Sequence, residues 1–124
     1  MIIGIGVDVV ELKRIEKIWN QYGIKFANKI LSEQEQKLLP QTNPVTFLAG
    51  RFAAKEALSK ALGTGFSAQV NFKNFSVCNL PSGQPVAELS GAALQTMQKN
   101  GAKQVFISIS HDKGCAVAMA ILEA

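Results

Sequence analysis

The sequence predicts an α+β fold with a mainly antiparallel sheet and its helices gathered on one side. Three observations support this class. Residues 104–110 place Val105, Ile107 and Ile109 on one face, residues 115–122 alternate the larger Cys115, Val117, Met119 and Ile121 with mostly alanine, and a short turn joins the two segments. A second hairpin is expected around the turn-forming residues 81–84, Pro-Ser-Gly-Gln. Between these strand-like segments lie stretches with helical spacing of apolar residues.

The length of 124 residues suggests one domain over residues 1–124, large enough to bury a core of its own. The chain starts without a basic leader and has no apolar run of the roughly 18 residues that span a membrane, so we expect a cytoplasmic protein without membrane contact. Cys78 and Cys115 have no metal-binding spacing and are predicted to be reduced and buried.

The net charge of +4 favours acidic partners. Nucleic acid is not the expected partner, because the chain has one Trp, one Tyr and no arginine-rich run. An acidic protein or a phosphorylated small molecule fits the charge equally well.

The N-terminal elements can be placed by their apolar pattern. Residues 2–7 alternate and predict a strand that ends at Asp8, with glycines that would let another backbone approach closely. Asp8 is either the cap of the next helix or part of a functional site. That helix is predicted over residues 10–22, with a basic outer face and Gly23 as its stop signal.

The middle of the chain carries helix signals. Residues 32–35, Ser-Glu-Gln-Glu, form a capping-box sequence for a short helix ended by Pro40. A long helix follows, with Asn43 as N-cap and Gly63 as a left-handed C-terminal residue. Strands are expected over residues 75–80 and 85–89, and a helix over residues 90–100.

The long helix is unusual because apolar residues surround its first half while its second half carries Lys55, Glu56 and Lys60. Buried charges cost several kcal/mol unless they are paired or bind a ligand. These charges therefore point to a functional site. The alternative is that Glu56 and Lys60 form an ordinary surface ion pair between residues i and i+4.

Two carboxylates with an adjacent lysine, here Asp8, Glu56 and Lys60, suit Mg²⁺, a hard cation that keeps several waters and is completed by substrate phosphates. His111, the single histidine, lies at a predicted hairpin tip and is not sufficient for a zinc site. From the residues alone, the prediction is Mg²⁺-dependent handling of a phosphate ester.

Longer motifs allow a more specific interpretation. They are Gly4-Ile-Gly-Val-Asp8, the block Phe-Leu-Ala-Gly-Arg-Phe-Ala-Ala-Lys-Glu-Ala at residues 47–57, Gly63-Thr-Gly65 and Ile109-Ser-His111. Together they resemble the holo-[acyl-carrier-protein] synthases, and the resemblance runs from end to end. It implies a 4′-phosphopantetheinyl transferase fold and transfer of phosphopantetheine from coenzyme A to a serine of apo acyl carrier protein, in support of fatty acid biosynthesis.

The resemblance also implies residue roles. Asp8 and Glu56 would hold Mg²⁺, Lys60 would neutralise phosphate charge, and Arg14 would meet the carrier protein. The coenzyme pocket would be lined by Lys60 and by Arg51, Gly63, Thr64, Gly65, Ser110 and His111. Glu56, Lys60 and His111 would be the catalytic residues.

The base that removes the serine proton stays open among Glu56 acting through a water, a metal-bound water, Asp112 and His111. Asp112 differs from the family pattern, since family members often carry Thr or Ser after the histidine. The family's synthases are homotrimers with shared active sites, and apolar residues on both faces of the C-terminal strands support such an assembly here. The alternative function is a small basic module that binds an acidic protein or nucleic acid without catalysis.

Overall fold

The computed structural model describes all 124 residues. In chain order the elements are β1 (Ile2–Glu11), α1 (Leu12–Tyr22), α2 (Ile24–Ile30), α3 (Glu33–Gln36), α4 (Val45–Leu62), a 3-10 turn (Phe72–Asn74), β2 (Phe75–Asn79), β3 (Pro85–Leu89), α5 (Gly91–Lys99), β4 (Gln104–His111) and β5 (Cys115–Glu123). The predicted α+β class is confirmed. The strands form two antiparallel sheets, a three-stranded one in the order β1-β5-β4 and the hairpin β2-β3.

Strand β1 is longer than the sequence pattern predicted. It continues past Asp8 to Glu11, so Asp8 lies within the strand, opposite Ala118 of β5. The interpretation of Asp8 as a helix cap is therefore wrong. The backbone N–H of Leu12 donates to the carbonyl of Gly114 at 3.0 Å, which places the start of α1 beside the β4-β5 turn.

Helix α4 is the centre of the fold, and 12 of its 18 residues are buried. One side packs on β1 and β5, where Gly4 and Gly6 allow the approach: a Cβ at either position would overlap a carbonyl oxygen of α4, that of Ala61 or Ala57. The other side is covered by α1, α2 and β2. The prediction that this helix is enclosed by core is confirmed.

Several helix boundaries differ from the expectation. Helix α4 begins at Val45 with Pro44 at the cap position, because Asn43 adopts a left-handed φ of 49°. The C-terminal residue Gly63 has the predicted left-handed conformation, with φ 82°. Ser32 and Glu35 form the predicted capping box, but α3 ends at Gln36, before Pro40. No helix in this fold is both long and apolar enough to span a lipid bilayer.

The three-stranded sheet has one face against α4 and one face open. Five large apolar side chains of the open face are between 43% and 63% exposed: Ile5, Val7, Val9, Phe106 and Met119. Their sequence neighbours on β5, such as Ala118 and Ala120, are buried under α4. Both cysteines are unpaired as predicted, but they are only partly buried.

Because α4 approaches β1 closely, we expect Gly6→Ala to destabilise the fold strongly. The new methyl group would meet the Ala57 carbonyl oxygen, which belongs to helix backbone and has little freedom to move. We expect Gly6→Ala to lower the free energy of unfolding by about 3 kcal/mol, measured by urea denaturation.

Gly50→Ala is the matched control, because a Cβ there makes an ordinary contact of 3.4 Å with Ile109. In a helix interior this change should be neutral or stabilise by up to about 1 kcal/mol. Equal effects of the two substitutions would contradict the packing described here.

Candidate active site

Three of the predicted site residues come together where β1 passes α4. The ammonium group of Lys60 donates to Asp8 Oδ1 at 3.1 Å and to the carbonyl of Val7 at 3.0 Å. The side chains of Lys60 and Asp8 are 51% and 17% exposed, so the lysine faces solvent while the carboxylate is largely covered. Lys60 thus pairs with Asp8, and the ion pair with Glu56 that was the alternative interpretation is not formed.

Glu56 lies beside this pair, and its environment disfavours its charge. Burial raises the pKa of the Glu56 carboxyl, and the negative charge of Asp8 raises it further, while Lys60 and Arg14 act in the opposite direction. Asp8 and Glu56 are therefore close enough to repel each other. A cation bound between two such carboxylates relieves both the burial cost and the repulsion.

The donor set of this pair fits Mg²⁺. Both residues offer hard carboxylate oxygens, the ligands that Mg²⁺ prefers. The fold has no group of three or more His, Cys, Asp or Glu side chains placed to hold a metal ion. Two carboxylates alone leave most of an octahedral shell to water and phosphate oxygens, which is the common arrangement for Mg²⁺ in phosphate-handling sites.

The turn of Gly63, Thr64 and Gly65 closes the C-terminal end of α4. All three backbone N–H groups donate to helix carbonyls, those of Ser59 or Lys60, at 3.0–3.3 Å. The amides are thus already used in capping the helix. The space beside Gly63 and Gly65 is open, since a Cβ at either residue would meet nothing within 4 Å. A ligand can reach this turn by close approach to its backbone.

Arg51 lies elsewhere on α4 and has a structural contact that the sequence did not reveal. Its side chain is buried, and Nη2 donates to the carbonyl of Val77 and to Asn79 Oδ1, both at 3.0 Å. Its guanidinium also lies 4.3 Å from the ring centroid of Phe47. Burial lowers the pKa of Arg51. Arg51 lines a cavity of about 500 Å³ next to β2, separate from the Asp8 cluster.

Ser110 and His111 end β4 and are exposed. His111 is opposite Ala116 of β5, whereas Asp8 on β1 is opposite Ala118, so one whole strand separates them. Two strand spacings amount to roughly 10 Å, beyond hydrogen-bonding distance. Within one protomer, the structure does not bring His111 to the Asp8 cluster.

Asp112 caps the β4-β5 turn. Its Oδ1 accepts from the backbone N–H groups of Cys115 and Gly114 at 2.9 and 2.7 Å. These hydrogen bonds hold the pKa of Asp112 below its usual value, with the Cys115 amide as the larger cause. A carboxylate stabilised in this way is a weaker base.

Arg14 joins the cluster to an apolar groove. Its guanidinium lies 5.5 Å from the ring centroid of Phe52, and its charge partly offsets the rise in the pKa of Glu56. Phe52 is one helical turn before Glu56 and lines a groove of about 520 Å³ between α1, α2 and α4. We call this the α1-α2 groove; its walls are Ile18, Tyr22, Phe26, Ile30, Phe52 and Phe72, with Lys25 and Lys29 beside them.

Sequence reasoning missed one charged residue, Glu35. The helical pattern placed Lys55 on the same polar side as Glu56, yet Lys55 is fully buried and pairs with Glu35 at 2.5 Å. Glu35 was recognised only as part of the capping box. Its second role depends on the packing of α3 against α4, for which the sequence carries no local signal.

Comparison with known proteins identifies the family of this chain. The profile of the 4′-phosphopantetheinyl transferase superfamily matches residues 4–119. The holo-[acyl-carrier-protein] synthase of Natranaerobius thermophilus is 48% identical over 123 residues, which cover 98% of this chain and 98% of that protein.

Solved structures give the same result. The holo-[acyl-carrier-protein] synthase from Neisseria meningitidis superposes with a TM-score of 0.92 at 38% identity and covers 100% of both chains. The synthase from Helicobacter pylori, solved in complex with coenzyme A, has a TM-score of 0.84 at 34% identity and covers 96% of this chain and 99% of that chain.

The chain therefore belongs to the 4′-phosphopantetheinyl transferase superfamily. Within it the chain is a phosphopantetheinyl transferase of the holo-[acyl-carrier-protein] synthase kind, as the sequence motifs predicted. The alternative of a module without catalysis is rejected.

The raised pKa of Glu56 predicts a pH-dependent effect of Glu56→Gln. A carboxyl whose pKa is higher in the folded state binds its proton more tightly there, so it destabilises the fold as pH rises from the unfolded value toward the folded one. Without divalent cations, the melting temperature of Glu56→Gln relative to the parent should therefore be higher at pH 7 than at pH 4. Glu88→Gln, at an exposed position on β3, is the control. The same difference at both pH values would show that Glu56 is not held in an unfavourable environment.

Proposed function

We propose that this enzyme transfers 4′-phosphopantetheine from coenzyme A to a serine of apo acyl carrier protein and releases adenosine 3′,5′-bisphosphate. The reaction depends on Mg²⁺ and supports fatty acid biosynthesis in the cytoplasm. The observation that carries this proposal is that the Asp8 and Glu56 pair adjoins the α1-α2 groove through Phe52 and Arg14. A phosphate ester bound at the Asp8 and Glu56 pair would therefore lie close to a protein bound in the α1-α2 groove. The names of the relatives, and the coenzyme A complex of the Helicobacter pylori synthase, support both substrates.

In this proposal Asp8 and Glu56 hold Mg²⁺, which supplies charge neutralisation at the pyrophosphate of coenzyme A when bound. Lys60 has an exposed ammonium group beside Asp8 and stabilises negative charge that develops on the phosphoryl oxygens. The open side of the Gly63, Thr64 and Gly65 turn gives the coenzyme room to approach the end of α4.

Of the candidate bases we favour Glu56 acting through a water. Its carboxyl lies beside the Asp8 and Lys60 pair, where the phosphoryl group is proposed to bind. Asp112 is disfavoured because two backbone amides stabilise its ionised form.

The carrier protein is proposed to dock on the α1-α2 groove. Acyl carrier proteins of such synthases are acidic, and the groove combines apolar walls with Lys25, Lys29 and Arg14 at its edges. The charge of Arg14 also acts on Glu56, so a serine presented beside Arg14 would arrive close to the phosphate site.

Arg14→Glu should raise the KM for the carrier about tenfold and flatten its dependence on salt, because it replaces an attractive charge by a repulsive one. The KM for coenzyme A should change little. Lys17→Glu is the matched control, with the same change of charge on the same exposed helix. If steady-state kinetics give equal carrier KM values for the two variants, Arg14 has no special place in docking.

The assembly is proposed to be a homotrimer with active sites between protomers. The open face of the sheet offers Ile5, Val7, Val9, Phe106 and Met119 to a partner. His111 is separated from Asp8 by a strand within its own protomer. A symmetric contact through the open face supplies Ser110 and His111 to the coenzyme pocket of a neighbour.

Shared sites predict complementation between inactive variants. Glu56→Gln and His111→Ala proteins, unfolded together and refolded as a mixture, should regain activity in sites that combine the intact residue of each chain. Each variant refolded alone is the control. No activity above the sum of these controls, or a fully active monomer in sedimentation, would overturn the shared site.

The test of the proposed function is direct. The protein is incubated with apo acyl carrier protein, coenzyme A and Mg²⁺, and the carrier is weighed by mass spectrometry. A mass increase of one phosphopantetheine is expected with the parent and much less with Asp8→Asn. An unmodified carrier with the parent, or full activity of Asp8→Asn in excess EDTA, would refute it.

A further inference from the structure

The buried ion pair of Lys55 and Glu35 is fully satisfied. Both side chains are completely buried. The ammonium group donates to Glu35 Oε1 at 2.5 Å, to the carbonyl of Ile30 at 2.6 Å and to the carbonyl of Phe72 at 3.0 Å, which accounts for its three hydrogens. Lys55 therefore has one position, set by three acceptors that belong to three other segments of the chain.

Glu35 is itself held independently of α4. Its Oε1 accepts from the backbone N–H of Ser32 at 2.8 Å, and its Oε2 accepts from the backbone N–H of Val77 at 2.9 Å. The capping box fixes its backbone as well. Glu35 is thus a rigid anchor outside α4, and Lys55 attaches α4 to it.

Stability alone does not explain a charged pair at this place. Replacing a buried ion pair by apolar residues of similar volume is often neutral or stabilising, because the charges lose their hydration. An ion pair with several fixed acceptors, however, restricts distances and angles much more tightly than an apolar contact does. The pair is therefore expected to fix the position of α4.

Glu56 follows Lys55 directly, so rotation of α4 about its axis moves the Glu56 carboxylate. With side-chain tips at roughly 6 Å from the axis, a rotation of about 10° moves the carboxylate by about 1 Å. A displacement of this size can lower the catalytic rate by about 100-fold. The glycine contact at Gly6 fixes the distance of α4 from β1, and Lys55 holds the opposite side of the helix.

We propose that Glu35 and Lys55 are positioning residues that set the rotation of α4 and thereby aim Glu56 at Asp8. This inference rests on the proposed role of Glu56 in holding the metal. Neither residue touches substrate, since both are buried beneath the surface of the protein.

The first test uses the double variant Glu35→Gln/Lys55→Met, which removes both charges and keeps similar volumes. We expect a folded protein whose kcat is lower by at least about tenfold. Its affinity for Mn²⁺ in the presence of coenzyme A, measured by electron paramagnetic resonance, should fall as well.

Met97→Ala on α5 is the control for lost stability, because it truncates a buried side chain on another helix. It should lower the melting temperature but leave kcat and Mn²⁺ affinity unchanged. A folded double variant with parental kcat and Mn²⁺ affinity would overturn the proposal.

If the double variant does not fold, the variant Glu35→Asp tests the positioning role instead. It keeps both charges but draws the carboxylate back by about 1.5 Å, so kcat and Mn²⁺ affinity should fall. Parental values would overturn the proposal. Mn²⁺ binding does not require turnover, so an inactive parent would refute the proposed reaction without deciding the role of Glu35 and Lys55.

Discussion

A charge on a helix that is buried on two sides must be paired, hydrogen-bonded or bound to a ligand, and α4 is such a helix. From Lys55 onward, the charged residues of α4 become more exposed toward its C-terminal end. Lys55 is fully buried and donates hydrogen bonds to one carboxylate and two backbone carbonyls. Glu56 is half-buried, lies beside Asp8 and has a raised pKa. Lys60 is half exposed and reaches Asp8 from the solvent side. The same burial that stabilises the fold therefore places the Glu56 carboxyl in an unfavourable environment beside Asp8, and a bound cation would relieve the repulsion between the two carboxylates.

The glycines of β1 make this arrangement possible. Without side chains at Gly4 and Gly6, the carbonyls of Ala61 and Ala57 lie against the strand, and Asp8, two residues further on, reaches the side of α4 that carries Glu56 and Lys60. Phe52 precedes Glu56 by one turn and opens onto the α1-α2 groove. One helix thus borders both the proposed phosphate site and the proposed docking surface for a protein, which suits an enzyme that transfers a group from a small molecule to a protein.

The sequence predicted what depends on neighbours along the chain. Alternation in residues 104–122 predicted the β4-β5 hairpin, and Ser32 with Glu35 predicted the capping box. Which face of the hairpin is buried was not predicted, because both faces carry apolar residues. The proximity of Asp8 and Glu56 was predicted from the chemistry of these residue types together with the family motif. Contacts between distant segments were not predictable: Lys55 and Glu35 are 20 residues apart, and the helical pattern assigned Lys55 to a polar side that α2, α3 and β2 in fact cover. The N-terminus of α4 was misplaced because Asn43 adopts a left-handed conformation, which a capping residue does not.

We propose that Asp8, Glu56 and the phosphates of coenzyme A form one cation site. Electron paramagnetic resonance of Mn²⁺ bound to the protein is the decisive measurement, because it detects coupling of the ion to neighbouring phosphorus nuclei. We expect one Mn²⁺ per chain when coenzyme A is present, coupled to phosphorus, and loss of this binding in Asp8→Asn and in Glu56→Gln separately. Tight Mn²⁺ binding that survives both substitutions, or that shows no phosphorus coupling, would contradict it.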